Sequence, residues 1–309
     1  MIGRLFALLA AAVFLSTTCD SPEDSEILTT INSSVIKVVI VVIDGPRLLD
    51  TWAHPQRQYI PYQHQLSQEG VFFSNFFNDG DTHTISGHAA LTTGTYEYVK
   101  NNGDQQPALT SIFQRYLAAR RNAPTDAFVI TSKEKLHVLA NCQQLNWRDS
   151  FLPAVDAQDR EDSVTLRVAL DILSNDQPTL SLVHFREPDH QAHQSNWEGY
   201  LQGIRTTDDY VQRLWNFIQT HTAYRHQTMM FVTNDHGRHL NGIGEGFVEH
   251  GDHCEGCRRI SLLALGPGLP AGQVVEKYYG LIDLAPTIAR LLNFRWRGEG
   301  QPIIELLNP

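Results

Sequence analysis

Five short apolar runs rich in β-branched residues recur along the chain and restrict the folds that it can adopt. Such runs are typical of strands that are buried on both faces of a sheet. They cover residues 35–43, 127–130, 180–185, 229–233 and 260–265. Between them lie segments with helical spacing of apolar residues, most clearly 201–218, and a further helix is predicted near the C-terminus over 284–292. This alternation predicts an α/β fold, a three-layer sandwich with a mostly parallel central sheet.

The net charge of the chain limits the classes of ligand that it is expected to bind. The chain has 309 residues and a formal net charge of −10, which argues against general binding of nucleic-acid duplexes because phosphate backbones are held by clustered Lys and Arg. An anionic small molecule would need a local positive field instead. A bound divalent metal supplies such a field even on an acidic protein, and 14 histidines offer ligands for one.

The N-terminal residues predict export to the periplasm or cell surface. Arg4 precedes an apolar run over residues 5–15, which is too short to span a bilayer but suits the core of a signal peptide over residues 1–19. The Leu-Ser-Thr-Thr-Cys sequence that ends at Cys19 only roughly resembles a bacterial lipobox. Cleavage to a soluble protein and membrane attachment through a lipid on Cys19 therefore both remain open.

The rest of the chain is predicted to consist of a linker and one domain. Residues 20–34 are polar and acidic and predict a flexible linker. Residues 35–309 would form the catalytic domain, in which the irregular segment 134–162 is expected as a small cap or a rim loop. Cys254 and Cys257 form a Cys-x-x-Cys pair, for which we expect a local disulfide in an exported chain, since a zinc site needs more ligands than one pair.

Three of the predicted strands run into acidic or histidine-rich loops. Asp44 follows the first run, Asp189 and His193 follow the third, and Asp235 and His236 follow the fourth. Because ligands bind beyond the carboxyl ends of parallel strands, these side chains should converge on one crevice. An Asp after a strand is often only a helix cap or turn residue, so no single position decides the matter.

Converging carboxylates without a partner would repel one another and raise their pKa values. Divalent metals remove that penalty, and neutral imidazoles complete the coordination. The spacing Asp189-x-x-x-His193 brings both side chains to one side of a helical turn. A mixture of Asp and His ligands suits zinc, with other divalent metals as alternatives.

A fourth segment carries a candidate nucleophile. Residues 81–88 read Asp-Thr-His-Thr-Ile-Ser-Gly-His, and a Thr-Gly pair ends at Gly94. Residues 187–193 read Glu-Pro-Asp-His-Gln-Ala-His, and residues 234–237 read Asn-Asp-His-Gly. In this order, after a strand that ends in Asp-Gly, the motifs resemble the alkaline phosphatase superfamily, especially its nucleotide pyrophosphatase/phosphodiesterase branch. The resemblance covers about residues 35–295.

The resemblance implies a site with two divalent metal ions, zinc being expected. One ion would be held by Asp189, His193 and His250. The other would be held by Asp44, Asp235, His236 and the oxygen of Thr84, the nucleophile. His253 is an alternative to His250 as the last ligand.

Two positions in this pattern stay open. Ser-Gly replaces the Pro-Asn that follows the nucleophile in the branch, so Thr82 and Ser86 remain alternatives to Thr84. The family's phosphoryl-binding Asn would correspond to Asn102 or to neighbouring Asn101, although an Asn-Asn-Gly turn is an equally good explanation. We select Asn102.

The implied function is the hydrolysis of small phosphoesters, either diesters and nucleotide pyrophosphates or monoesters, through a phosphothreonine intermediate. Sulfatase-like or phosphotransferase activity on the same scaffold is an alternative. Sulfatases carry a Cys or Ser in a Cys-x-Pro-x-Arg setting, which this chain lacks. A catalytically inactive binding protein of the same fold is a further alternative.

Overall fold

A nine-stranded sheet runs through the centre of the fold in a computed structural model that describes residues 35–307. The strands are β1 (Lys37–Ile43), β2 (Val71–Phe77), β3 (Ala127–Thr131), β4 (Ala154–Ala157), β5 (Leu180–Phe185), β6 (Thr228–Thr233), β7 (Arg259–Leu265), β8 (Gln273–Val275) and β9 (Tyr279–Gly280). Their order is β4-β3-β5-β1-β6-β7-β2-β8, with β9 also beside β2. Only β7 pairs antiparallel, with β6 and with β2, so the predicted mostly parallel sheet is confirmed.

The five apolar runs form β3, β5, β1, β6 and β7, which are neighbours at the middle of the sheet. Every residue of β5 and β6 is buried, as expected for strands covered on both faces. The sequence did not predict β2, β4, β8 and β9. Three of these are short strands of two to four residues, and all four lie on the outer side of the predicted set.

Helices cover both faces of the sheet. They are α1 (Pro61–Leu66), α2 (Thr84–Thr93), α3 (Ile112–Arg120), α4 (Asp162–Asn175), α5 (Glu187–His193), α6 (Trp197–Thr220), α7 (Glu255–Arg258) and α8 (Leu284–Leu291). Successive residues of a strand point to opposite faces, so Ile40 lies in a core shared with α2, α3 and α8. Val41 lies in the other core, with α4 and α6. These layers form the predicted sandwich.

The segment 134–162 contains two short elements. It begins with a 3-10 helix over Glu134–Ala140, and it contains β4, which extends the sheet at one edge. A role of the remaining residues of this segment as a cap or rim loop stays a prediction. The predicted signal peptide, linker and Cys19 lie outside the described residues. Within residues 35–307, no helix is long and apolar enough to cross a membrane.

Replacement of Ile40 by Ala tests the packing of the central strand. Ile40 is fully buried, and truncation of such a side chain costs about 2–5 kcal/mol. We expect Ile40→Ala to lower the free energy of unfolding in urea by that amount. The matched control is Ile36→Ala, because Ile36 is 53% exposed and its loss should change stability by less than about 0.5 kcal/mol. Equal effects of the two changes would contradict the described core.

Candidate metal and active site

The carboxyl ends of three parallel strands bring the predicted acidic residues together. β1 lies between β5 and β6, so the loops that follow these strands share one edge of the sheet. Asp44 follows β1, Asp189 lies in α5 directly after β5, and Asp235 follows β6. All three are buried. Because β7 runs antiparallel to β6, the loop between them returns to the same edge and carries His250 there.

Asp44, Asp235 and His236 form one half of the site. Asp44 Oδ1, Asp235 Oδ2 and His236 Nε2 lie within 4.8 Å of one another, with His236 Nε2 3.3 Å from Asp44 and 3.4 Å from Asp235. None of these three buried atoms has a hydrogen-bond partner among the described residues. Buried polar atoms without partners are rare, and two carboxylate oxygens facing one imidazole nitrogen match the ligands of a divalent metal. This half therefore fits a metal ion.

Asp189, His193 and His250 form the other half. Asp189 Oδ1 lies 3.2 Å from His193 Nε2 and 3.3 Å from His250 Nε2, and the two imidazole nitrogens are 3.1 Å apart. The ring of His250 stacks on that of His236 at 3.8 Å, which joins the two halves. His253 is exposed and lies outside both groups. Of the two candidate histidines, the structure thus brings His250 to the site.

Two cations, the mostly buried Lys133 and the fully buried Arg238, bind Asp189, and the sequence did not predict either of them. Lys133 Nζ lies 2.6 Å from Asp189 Oδ2 and 2.7 Å from Asp44 Oδ2, so its ammonium group bridges the two halves. Arg238 pairs with the other oxygen of Asp189. Both oxygens of Asp189 are thus already neutralised by the chain itself. The need for a metal ion is greater in the half formed by Asp44, Asp235 and His236.

These cations keep the carboxylates ionised. Burial and the nearby Asp189 raise the pKa of Asp44, but Lys133, a hydrogen bond from His184 and the close approach of the His236 imidazole outweigh them and hold that pKa well below its usual range. Burial also opposes ionisation of Asp189, whose pKa is held well below its usual range chiefly by Lys133. Burial lowers the pKa of His184 to about 4, so this ring is neutral when it donates to Asp44 over 2.9 Å.

Thr84 is the first residue of α2, and this end of the helix packs against the loop that carries Asp235. A Cβ atom on Gly87 would lie 2.4 Å from the carbonyl oxygen of Asp235, so only glycine permits this approach. His88 connects the two elements, because its Nδ1 lies 2.8 Å from the Thr84 carbonyl oxygen and 3.4 Å from Asp235 Oδ2. The start of α2 is therefore held at the metal ligands.

Hydrogen bonds distinguish the three candidate hydroxyl groups. Thr82 donates to the carbonyl of Asp252 over 2.7 Å, and its oxygen accepts from the N–H of Gly251. Ser86 exchanges hydrogen bonds with the backbone of Val99 at 3.3 and 3.0 Å. Among the residues that the structure describes, none forms a hydrogen bond with the Thr84 hydroxyl. Thr84 thus has the one hydroxyl of the three that is not bound to the scaffold.

The structure separates the two neighbouring asparagines. Asn102 is exposed and bonds with Asp104 at both its side-chain amide and its oxygen, as in an ordinary turn. Asn101 Oδ1 instead accepts from the N–H of Ile85 at 3.1 Å, directly after Thr84, and from Lys135 Nζ at 2.9 Å. Asn101 therefore replaces Asn102 as the candidate beside the nucleophile.

Comparison with known proteins identifies the family of a chain with this fold and site. The profile of the family described as Sulfatase matches residues 37–294, most of the chain. The chain belongs to the sulfatase family. The "Sulfatase ppz1" of Metarhizium majus (strain ARSEF 297) is 32% identical over 107 residues, which span 33% of this chain and 24% of that protein. The match thus covers about a quarter of that relative.

Solved structures of the wider superfamily share the fold of this sulfatase-family chain. The phosphonate monoester hydrolase of Agrobacterium radiobacter superposes with a TM-score of 0.63 and 16% identity, over 88% of this chain and 77% of that one. A protein of the alkaline phosphatase superfamily from Vibrio parahaemolyticus gives 0.62 and 15%, over 88% and 71%. At this level of identity the comparison concerns the fold, and the predicted alkaline phosphatase-like α/β fold is confirmed. The phosphodiesterase branch stays a prediction.

Loss of His236 tests the metal half that has unpartnered ligand atoms. His236→Ala removes one of three ligands, and we expect the affinity for zinc to fall by more than about 100-fold, since changes outside a ligand set already cost about 10- to 100-fold. Competition with a chromogenic chelator measures it. His253→Ala is the control, because this exposed histidine lies outside the site. Unchanged zinc affinity in His236→Ala would exclude the proposed ligand set.

Proposed function

We propose that this sulfatase-family chain is a metal-dependent hydrolase of small phosphoesters that works through a phosphothreonine at Thr84. The observation that carries the proposal is the Thr84 hydroxyl without a hydrogen bond from the described residues, in the first turn of a helix whose Gly87 and His88 contact Asp235. Lys133 and Arg238 add two positive charges at the site. Such a site favours a substrate with a multiply charged anionic group.

The residues that would hold metal ions follow from the two halves. Asp44, Asp235 and His236 would hold one ion together with the Thr84 oxygen. Asp189, His193 and His250 are the predicted ligands of a second, although Lys133 and Arg238 already pair with both oxygens of Asp189. Bound ions would lower the pKa of the attacking hydroxyl and offset charge on the transferred group. Burial lowers the pKa of His250 to about 4, so its imidazole is neutral and able to act as a ligand.

The chain's own residues would bind and orient the substrate. Lys133, whose pKa is raised by Asp189 and Asp44 against the effect of burial, stays charged and would attract an anionic oxygen at the boundary of the two halves. Lys135 and Asn101 lie beside the first N–H groups of α2, where an anion is favoured by the helix dipole. Together they would place the phosphorus atom next to Thr84.

The covalent steps conserve atoms and charge. The Thr84 oxygen forms a bond to phosphorus while the bond to the ester oxygen breaks, and the leaving oxygen takes up a proton to become an alcohol. Water then attacks the phosphothreonine, so phosphate or a phosphomonoester leaves and the Thr84 hydroxyl is restored. The net reaction consumes one ester and one water molecule.

Hydrolysis of sulfate esters is the second candidate, and membership of the sulfatase family favours it. The residue type at position 84 argues against it. A formylglycine aldehyde can arise from Cys or Ser, whereas the secondary alcohol of threonine would yield a ketone on oxidation. We therefore rank sulfate esters below phosphoesters.

The partners and location of the chain are part of the proposal. The substrate would be a small phosphoester and not a nucleic-acid duplex, since the chain is acidic overall. The N-terminal sequence supports export, with a lipid on Cys19 as a possible means of attachment to the membrane. Catalysis would then occur outside the cytoplasm.

Activity toward a panel of nitrophenyl esters tests the proposal. We expect the diester or the monoester of phosphate to be hydrolysed faster than the sulfate, and we expect excess chelator to abolish turnover. Zinc should restore it better than magnesium, because His ligands suit zinc. A faster rate with nitrophenyl sulfate would establish the second candidate. Full activity in chelator would exclude a metal-dependent mechanism.

Replacement of Thr84 tests the nucleophile. Thr84→Ala should abolish the phosphoenzyme and nearly all turnover yet still bind metal, because the carboxylate and imidazole ligands remain. Thr84→Ser should keep partial activity. The hydroxyl is retained in serine, but without the methyl group it rotates more freely and is held less well for attack. Thr82→Ala and Ser86→Ala are the matched controls and should lose much less. Acid-quenched labelling with a radioactive phosphoester detects the intermediate, and labelling that persists in Thr84→Ala would identify another nucleophile.

A further inference from the structure

A second group of metal-binding side chains lies outside the catalytic residues. His239, Asp252, Cys254 and Cys257 each offer one ligand atom, and these four atoms lie within 4.8 Å of one another. The edges of a tetrahedron with zinc–ligand distances of 2.0–2.3 Å are about 3.3–3.8 Å, so a small contraction would complete such a site. The Cys-x-x-Cys spacing is one that zinc sites use.

The histidine side chain of this group is mostly buried and makes no hydrogen bond with the described residues. The His239 side chain is only 12% exposed, and neither of its ring nitrogens has a hydrogen-bond partner among the described residues. Its Nε2 lies 3.2 Å from Asp252 Oδ2, a carboxylate that is 56% exposed. A buried imidazole without partners is costly, and a metal ion at Nε2 would satisfy it.

The two cysteines are arranged as thiolate ligands are. Neither forms a disulfide in the structure, so the disulfide expected from the sequence is not present. The N–H of Cys257 points at Cys254 Sγ over 3.4 Å, and the N–H of Cys254 donates to Asp252 Oδ1 over 2.9 Å. Backbone N–H groups that donate to ligand atoms are typical partners of a metal site.

From this geometry we propose that His239, Asp252, Cys254 and Cys257 bind a structural zinc ion that is separate from the catalytic centre. The ligand set is closed, because four protein atoms fill the four positions of a tetrahedron and leave none for substrate. Both thiols lose a proton on binding. This reverses the effect of burial, which together with Cys254 raises the pKa of Cys257 when no metal is bound.

The proposed ion joins the first and last parts of the loop between β6 and β7, which carry His236 and His250. His239 follows His236 by three residues, and Asp252 follows His250 by two. The two parts of the loop are already linked through the backbone, since Gly237 donates to the carbonyl of Cys257 over 2.7 Å and His239 donates to that of Glu249 over 3.2 Å. A zinc ion at the cluster would fix this connection in the folded state.

Cobalt substitution distinguishes this site from the catalytic one. The full chain is purified under reducing conditions, stripped of metal and titrated with Co²⁺. Thiolate ligands give cobalt an intense charge-transfer absorption in the near ultraviolet, whereas the Asp and His ligands of the catalytic site do not. We expect the absorption at saturation to have the intensity of one cobalt ion bound by two thiolates, whatever cobalt the catalytic site also binds, and we expect added Zn²⁺ to remove it.

Variants assign the signal to the cluster. Cys254→Ser combined with Cys257→Ser should abolish the charge-transfer absorption and lower the bound zinc by one equivalent, as measured by elemental analysis. Cys142→Ser is the matched control, because Cys142 is a buried free thiol outside the group. His239→Ala should weaken zinc binding although both thiols remain, and His253→Ala should leave zinc binding unchanged.

Two results would overturn the proposal, and neither depends on catalytic activity. One is the absence of the charge-transfer absorption in the wild-type chain while both thiols still react with a thiol reagent. The other is an intact mass of the unreduced exported chain that is lower by two hydrogen atoms, with Cys254 and Cys257 linked in one peptide and no zinc at the cluster. If the double variant does not fold, the wild-type titration and His239→Ala still decide.

Discussion

The buried contact of Lys133 with Asp44 and Asp189 is the interaction on which the site depends. Removal of a carboxylate from water costs several kcal/mol unless a positive charge accompanies it. Lys133 supplies that charge to two carboxylates from different strand ends at 2.7 and 2.6 Å. The third carboxylate, Asp235, has no such cation and faces His236 and His88 instead. The negative charge that no Lys or Arg neutralises therefore lies on Asp235, in the half of the site whose atoms best match the ligands of a metal ion.

The same electrostatics explain which site residues could be predicted from the sequence. Asp44, Asp189 and Asp235 were predictable because each follows a buried strand, and parallel strands end at one edge. Lys133 obeys the same rule, since it lies two residues beyond β3. It was missed because the rule was applied only to acidic residues and histidines. Arg238 directly follows the Asp-His-Gly motif, but the sequence does not indicate that it pairs with Asp189, because the two residues are distant along the chain.

Whether a strand could be predicted depended on whether its sequence is a continuous run of apolar, β-branched residues. Strands buried on both faces have continuous apolar runs, and all five of these were predicted with small differences in their ends. β4 contains an acidic residue and has no fully buried residue, so it has no such signal. β2 is apolar and seven residues long, but its aromatic residues and the polar pair at its centre did not resemble the β-branched runs. The choices between Asn101 and Asn102, and between His250 and His253, required knowledge of loop conformation.

The position of His250 shows why a loop anchor matters at this site. Its Nδ1 donates to the carbonyl of Thr82 over 2.8 Å, so the same ring would bind the metal site on one side and hold the nucleophile loop on the other. Thr82 in turn donates to the carbonyl of Asp252, which belongs to the proposed zinc cluster. Catalytic geometry tolerates displacements of well under about 1 Å. A chain of short contacts from the cluster through Asp252 and Thr82 to Thr84 would hold the nucleophile within that limit.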